Sequence, residues 1–178
     1  MNWNRIAPVR WLVLWLLRAL VVANRDPDMV ILDGQGRPYL LRWYIGRRRD
    51  DGSWYLHRMI APDVVKDPHS HPWGFQTWVL SGGYMEAVWV GANWGPAGEV
   101  AGATPRLWRR TYDEYLDTGD HRSRPPWYKH VIEAVSPNTW TLVRTGKRDQ
   151  NWGFYSRAQG VFTPWQDYLA RNTQRTAE

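Results

Sequence analysis

Two of the chain's five histidines, His69 and His71, stand one residue apart in DPHSHPWGFQTWVLSGGY, residues 67–84. In an extended strand, residues i and i+2 point to the same face, so two imidazoles can reach one cation from there. The chain has no cysteine. Disulfides, zinc ribbons and thiol nucleophiles are therefore excluded, and any metal must be held by histidine, carboxylate or amide groups. An HxH pair alone is a weak signal, because surface and structural pairs are commoner than metal sites. A third histidine, His130, follows in GDHRSRPPWYKHVIEA, residues 119–134.

The remaining chemistry-bearing residues are more scattered. His57 and Arg58 are neighbours on a strand and point to opposite faces, so one of them faces the interior. His121 lies in the charged stretch GDHRSRPP, where an imidazole of ordinary pKa near 6.5 suits an entrance-loop acid or base, or simply a solvated side chain. Carboxylates are sparse near the histidines. Glu86 and Glu133 lie on strands, and Glu133 has opposite parity to His130. No GxSxG, P-loop, dinucleotide fingerprint or HExxH is present.

The elements that must position these residues are mostly strands. MVIL, a glycine-rich turn at residues 33–36 and PYLLRWYIG read as a short strand, a turn and a longer strand. RRRDDGS, with Asp-Gly inside, reads as a hairpin turn leading into WYLHRMIA. Residues 69–80 and 84–90 read as strands around a tight turn at 81–83. Residues 91–106 form one long loop rich in Gly, Ala and Pro. Further strands are expected at 107–112, 115–118, 130–135 and 140–145, with one or two more in WGFYS and GVFTPW. The tail from Trp165 starts a short helix. Such turn-bounded strands imply an all-β sandwich or barrel.

At 178 residues the chain suits one domain with extensions: an N-terminal helix at 1–24, a β-domain at 25–165 and a tail at 166–178. Residues 11–22 are strongly apolar but short for a membrane span, and Arg18 interrupts them. Leu12, Leu16 and Leu20, with Arg10 and Arg18 off that line, suit an amphipathic helix. It would pack on the β-domain or on a second copy, as in a homodimer. VVANR is a poor cleavage site, and without a targeting signal the expected location is cytoplasmic. The net charge of +6 favours anionic partners. The arginines are scattered apart from residues 46–53, which argues against a nucleic-acid role. Fourteen tryptophans suit the filling of a β-structure better than base stacking.

Residues 63–134 resemble the two sequence motifs of the cupin superfamily. His69, His71 and Gly83 stand at the spacings of the first motif, with Gln76 where the family has Glu and Asp63 where it has Gly. Gly119, Pro125 and His130 match the second, with Trp127 and Ala134 replacing its second Gly and its Asn. HSHPW…LSGGY, WTLVRTGKR, WGFY and PWQDY also look like a group of small cupin-like bacterial and phage proteins, many without assigned activity. The resemblance implies a double-stranded β-helix (jelly-roll) barrel of the RmlC-like type. Inside it His69, His71 and His130 would converge, with Gln76 as a fourth ligand or an outer hydrogen bond. Such a set suits Fe(II) first, and also Mn(II), Ni(II), Cu(II) or Zn(II), with coordination positions left open.

The expected function is that of a metal-binding cupin acting on a small molecule. A non-haem oxygenase resembling the three-histidine thiol dioxygenases leads. The alternatives are a sugar isomerase or epimerase using a histidine base, a 2-oxoglutarate-dependent oxygenase, and a non-catalytic binding protein. Arg144, fourteen residues after His130, stands where the 2-oxoglutarate enzymes grip their cosubstrate carboxylate. Those enzymes begin with HxD or HxE, however, and here the pair is HSH. The expected catalytic residues are His121, Arg58 and Tyr84, and the expected substrate contacts are Arg144, Trp78 and His57.

Overall fold

The computed structural model describes residues 6–33, 35–48, 52–90, 109–157, 161–168 and 170. It opens with helix α1 (Ala7–Leu20), which has Pro at its start, followed by a 3₁₀ turn at Val22–Asn24. The strands are β1 (Met29–Leu32), β2 (Pro38–Arg48), β3 (Gly52–Met59), β4 (Phe75–Ser81), β5 (Gly83–Val90) and β6 (Arg109–Asp117). After them come β7 (His121–Arg124), β8 (Lys129–Val135), β9 (Thr139–Thr145), β10 (Gly153–Tyr155) and β11 (Phe162–Pro164). A six-stranded sheet has the order β1-β2-β3-β9-β4-β7, a three-stranded sheet the order β6-β5-β8, and β10 pairs with β11.

These sheets correct the expectation of an all-β closed barrel. Helix and sheet are both present, and among the described residues no sheet closes on itself: the large one ends at β1 and β7, the smaller one at β6 and β8. The reason lies at the edges. Strand β7 reaches the smaller sheet through side chains rather than a backbone ladder, Arg122 to Glu114 and Arg124 to both Glu86 and Glu114. On the other side, His69 makes only isolated bridges to His130 and Phe154. Pro68 and Pro72 flank it and have no N–H to extend a ladder.

Alternation along β3, β4 and β9 gives the large sheet two buried faces. On one, Trp43, Leu56, Trp78, Leu80, Trp140 and Leu142 form a cluster with Leu14 of α1. The tryptophans stack there, Trp43 on Trp140 at 5.8 Å and Trp54 on Trp78 at 5.4 Å between ring centroids. The other face looks toward the smaller sheet, where Val79, Tyr84, Leu116 and Ile132 form a second cluster. The tight turn between β4 and β5 needs glycine twice. Gly82 has φ of +66°, and a side chain on Gly83 would meet the Leu116 carbonyl at 2.7 Å.

Several boundaries differ from the sequence reading. Strand β4 begins at Phe75, not at His69, because Pro72 removes a donor. The two strands expected at 107–112 and 115–118 are one strand, β6. His121 lies on β7 rather than in a loop. The expected loop at 91–106 falls outside the described residues, and of the tail residues 165–168 are helical. The opening helical run Ala7–Asn24, with mean hydropathy 1.4, is long and apolar enough by composition to cross a membrane. One line of it, through Leu14, Leu17 and Val21, packs on the large sheet.

Candidate metal centre

His69 and His71 lie in a non-strand segment that backbone bonds hold in place. His69 N–H donates to the His130 carbonyl at 3.1 Å, and the His69 carbonyl accepts His130 N–H at 3.2 Å. Ser70 N–H donates to Gly153 and His71 N–H to Pro126. The Gln150 amide donates to the carbonyls of His71 and Pro126, both at 2.7 Å. The imidazoles therefore meet from a pinned segment and from β8, and one ligand nitrogen of each of His69, His71 and His130 lies within 4.8 Å of the others.

His71 Nε2 and His130 Nε2 are 2.9 Å apart. Two nitrogens bound at ~2.1 Å at right angles on one ion lie ~3.0 Å apart, so this pair has the spacing a divalent ion needs. His130 Nδ1 is 2.7 Å from Glu86 Oε2. A carboxylate there accepts a hydrogen bond from Nδ1–H and turns Nε2 toward His71, as outer partners of metal-bound histidines do. The same 2.9 Å also fits one hydrogen bond between the two rings.

Burial keeps His69 and His71 neutral and able to coordinate. Burial lowers the His71 pKa well below 6.5, and the neighbouring His69, His130, Arg42 and His57 push it the same way. Burial takes His69 to about 4, with Asp63 pulling it back. Glu86 is almost fully buried. Burial raises its pKa, but the hydrogen bond and charge of His130 and the charge of Arg124 prevail and hold it at about 2. Tyr128 donates to its Oε1 at 3.0 Å.

The three histidines line a cavity of about 150 Å³ between the sheets, with Tyr39, Arg42, Tyr55, His57, Asp63, Trp73, Phe75, Thr77 and Tyr84 among its other walls. His57 therefore faces inward. It accepts Arg42 Nε–H on Nε2 at 2.9 Å, and burial, then the Arg42 charge, hold its pKa well below 6.5. Tyr84 is in the wall too, and burial raises its hydroxyl pKa well above 10.

The other sequence candidates lie elsewhere. Gln76 projects from the far side of β4 into a separate cavity with Arg144, Arg124 and Ser123. Arg144 is exposed and lies over the Trp54 ring at 5.7 Å. Arg58 is exposed, over Trp140 at 5.8 Å. Trp78 is in the core under α1, and His121 stacks on it at 4.7 Å.

Sequence reasoning does not mark three charged residues of the site: Arg42 and Asp63 in the cavity wall and Glu86 behind His130. Glu86 stands alone in the apolar run YMEAVWV, and Arg42 alone in YLLRWYIG. A lone charge in a buried strand needs a partner, and that was the signal available. Asp63 stands 3.9 Å from His69 Nδ1 and accepts Ile132 N–H at 2.8 Å.

No protein-family model matches the chain, and no curated protein matches it. Solved structures do. KdgF from Halomonas sp. is 16% identical, with a TM-score of 0.45, over 72% of this chain and 94% of that one. The polyketide cyclase RemF from Streptomyces resistomycificus is 13% identical, with a TM-score of 0.48, over 87% and 92%. The DMSP lyase DddQ from Ruegeria pomeroyi is 13% identical, with a TM-score of 0.44, over 74% of this chain and 59% of the lyase. At such identities and scores the chemistry rests on this chain's own residues.

Proposed function

We infer that the chain binds one divalent transition metal through His69, His71 and His130 and acts on a small molecule in the adjoining cavity as a non-haem oxygenase. The observation that carries this reading is the convergence of three imidazoles on the wall of one cavity, with His130 oriented by a buried carboxylate. Three nitrogen ligands suit Fe(II) among the first-row ions and leave open positions, where the ion supplies Lewis acidity and a site for dioxygen beside substrate. Glu86 holds the His130 Nδ1 proton and fixes the ring. Gln150 fixes the segment that carries His71. Phe75 packs edge-on against His71 at 4.8 Å between ring centroids. Tyr84, kept protonated, is a donor toward the cavity.

The test is metal content of the purified protein, then titration with Fe(II), Mn(II) and Zn(II) by calorimetry. Wild type should take up one ion per chain. His71→Ala should lose most of it while its circular dichroism and melting stay close to wild type, since the cores of both faces are untouched. Oxygen uptake with candidate small organic acids then separates oxygenase from isomerase chemistry. A wild-type protein that binds no divalent ion, or a His71→Ala protein that binds it as tightly, sinks the reading.

A further inference from the structure

Arg42 lies in the middle of β2 and lines the same cavity as the three histidines. Its contacts are Nε–H to His57 Nε2 at 2.9 Å, Nη1 at 3.9 Å from Met29 Sδ, the Tyr55 ring at 4.8 Å and the Tyr44 hydroxyl. Among the described residues no carboxylate pairs with it. His57 cannot balance the charge, because an Nε2 that accepts a hydrogen bond from arginine belongs to a neutral ring. The carboxylates nearest the cavity are committed elsewhere. Asp63 holds the Ile132 N–H, and Glu86 holds His130, Arg124 and Tyr128. A half-buried guanidinium without an anion bears part of the cost of desolvation, and a bound anion offsets it.

We propose that Arg42 is the binding residue for a substrate carboxylate, and that the substrate is a small organic acid lying between Arg42 and the three imidazoles. The second half of this statement rests on the metal reading above, while the first stands on Arg42 alone. His57 acts as a positioning residue. By taking Nε–H it fixes the guanidinium at the cavity wall over the Tyr55 ring, and the terminal nitrogens, one of them 3.9 Å from Met29 Sδ, remain to donate to a carboxylate. One positive charge balances one carboxylate, whereas a phosphate dianion would leave a negative charge uncompensated in the cavity. The cavity, at about 150 Å³ with Met59, Phe75 and Val143 in its walls, suits a short acid with an apolar remainder.

The test uses the full chain, metal-free and Zn(II)-loaded, with propionate as the probe and propionamide as its neutral isostere. Binding is read by calorimetry and by the ¹⁵N–¹H resonance of Arg42 Nε. Propionate should bind in both states and move that resonance, with propionamide at least about tenfold weaker, the scale of one charge-assisted hydrogen bond. Arg42→Gln should lose about tenfold or more in propionate affinity and keep its Zn(II) stoichiometry. Equal binding of the two probes by wild type overturns the proposal, and that measurement needs no variant to fold. So does propionate binding that requires Zn(II) and survives Arg42→Gln, which would place the anion on the metal and leave the metal reading intact. Loss of propionate binding in Arg42→Gln, in a protein that binds no Zn(II), would keep the Arg42 assignment and remove the metal reading.

Discussion

The two faces of the six-stranded sheet are built from the same strands by opposite rules. Toward α1 the alternating positions carry Leu56, Trp78, Leu80, Trp140 and Leu142, a dry surface that Leu14 closes. Toward the smaller sheet the same strands offer Tyr55, His57, Thr77, Thr141, Val143 and Thr145 to a cavity. One residue of shift along β3 separates the buried Leu56 from a histidine that holds an arginine. Stability and chemistry are thus divided by parity, not by domain. The outer face packs its apolar cluster against α1, while the inner face leaves a gap beside the histidines and surrounds it with polar groups. If the division is real, changes on one face should move folding free energy and leave metal binding alone, and changes on the other should do the reverse.

The largest expected effect is on the outer face. Trp140 is buried and stacked on Trp43. Trp140→Ala should cost about 3–5 kcal/mol of unfolding free energy in urea, the range for a large side chain cut out of a core. Metal stoichiometry of the fraction that stays folded should not change. A variant that melts normally but binds metal poorly would break the comparison. Truncation of residues 1–24 probes the same face from the other side, and size-exclusion of that protein reads whether the exposed face of α1 holds two copies together.

Next comes pH, and here the inner face should dominate. His57, His69 and His71 all have folded pKa values below the ordinary 6.5, His69 at about 4. Below pH 6.5 the unfolded chain binds more protons than the folded one. Stability is therefore complete above that pH and falls as pH drops toward 4. For His69 alone the loss is ~3 kcal/mol at most, from ~1.4 kcal/mol per pKa unit. Urea melts of chelator-treated protein at pH 7, 5.5 and 4.5 measure it. Trp140→Ala should show the same slope from a lower start. A flat profile would mean that the inner histidines are far wetter than their burial implies.

Glu86→Gln should have a smaller effect of the reverse kind. Loss of the carboxylate behind His130 should weaken metal binding about 10–100-fold, or ~1.4–2.7 kcal/mol, as for other outer partners of metal-bound histidine. Arg124 keeps Glu114, so the fold should survive. Calorimetric Zn(II) affinity beside a urea melt separates the two costs.

The sequence carried the division only in part. His69, His71, Trp73, Phe75 and Thr77 all line the cavity, and the odd-numbered parity that begins at the histidine pair joins them. The same parity places Gln76 and Trp78 on the other side. The motif resemblance pointed Gln76 toward the metal, and counting by twos from His71 did not. The convergence of His130 was implied by the motif resemblance through Gly119 and Pro125, not by any local pattern. Glu86 and Arg42 were harder. Their roles depend on which strands meet across the cavity, and no local pattern encodes that. Closure was harder still. An open edge at β7 held by arginines and an isolated bridge at His69 have the same hydrophobic pattern as a closed ladder, and differ only in whether a proline or an ion pair stands where an N–H would.

The smallest effects should come from Arg144 and Arg58, and their smallness is informative. Both are exposed on the side of the sheet away from the histidines and lie over tryptophan rings at 5.7 and 5.8 Å. A solvated arginine over an indole is worth about 0.5–1 kcal/mol. Arg144→Ala and Arg58→Ala should each cost no more than that in urea and leave Zn(II) and propionate affinity unchanged within about twofold, under ~0.5 kcal/mol. Arg42→Gln, on the same sheet but facing inward, should do the opposite. The contrast isolates orientation, since all three residues are arginines on neighbouring strands and differ mainly in which face they leave from. If Arg144→Ala weakened propionate binding tenfold, the anion would enter by the cavity beside Gln76. The face toward α1, not the inner one, would then hold the chemistry.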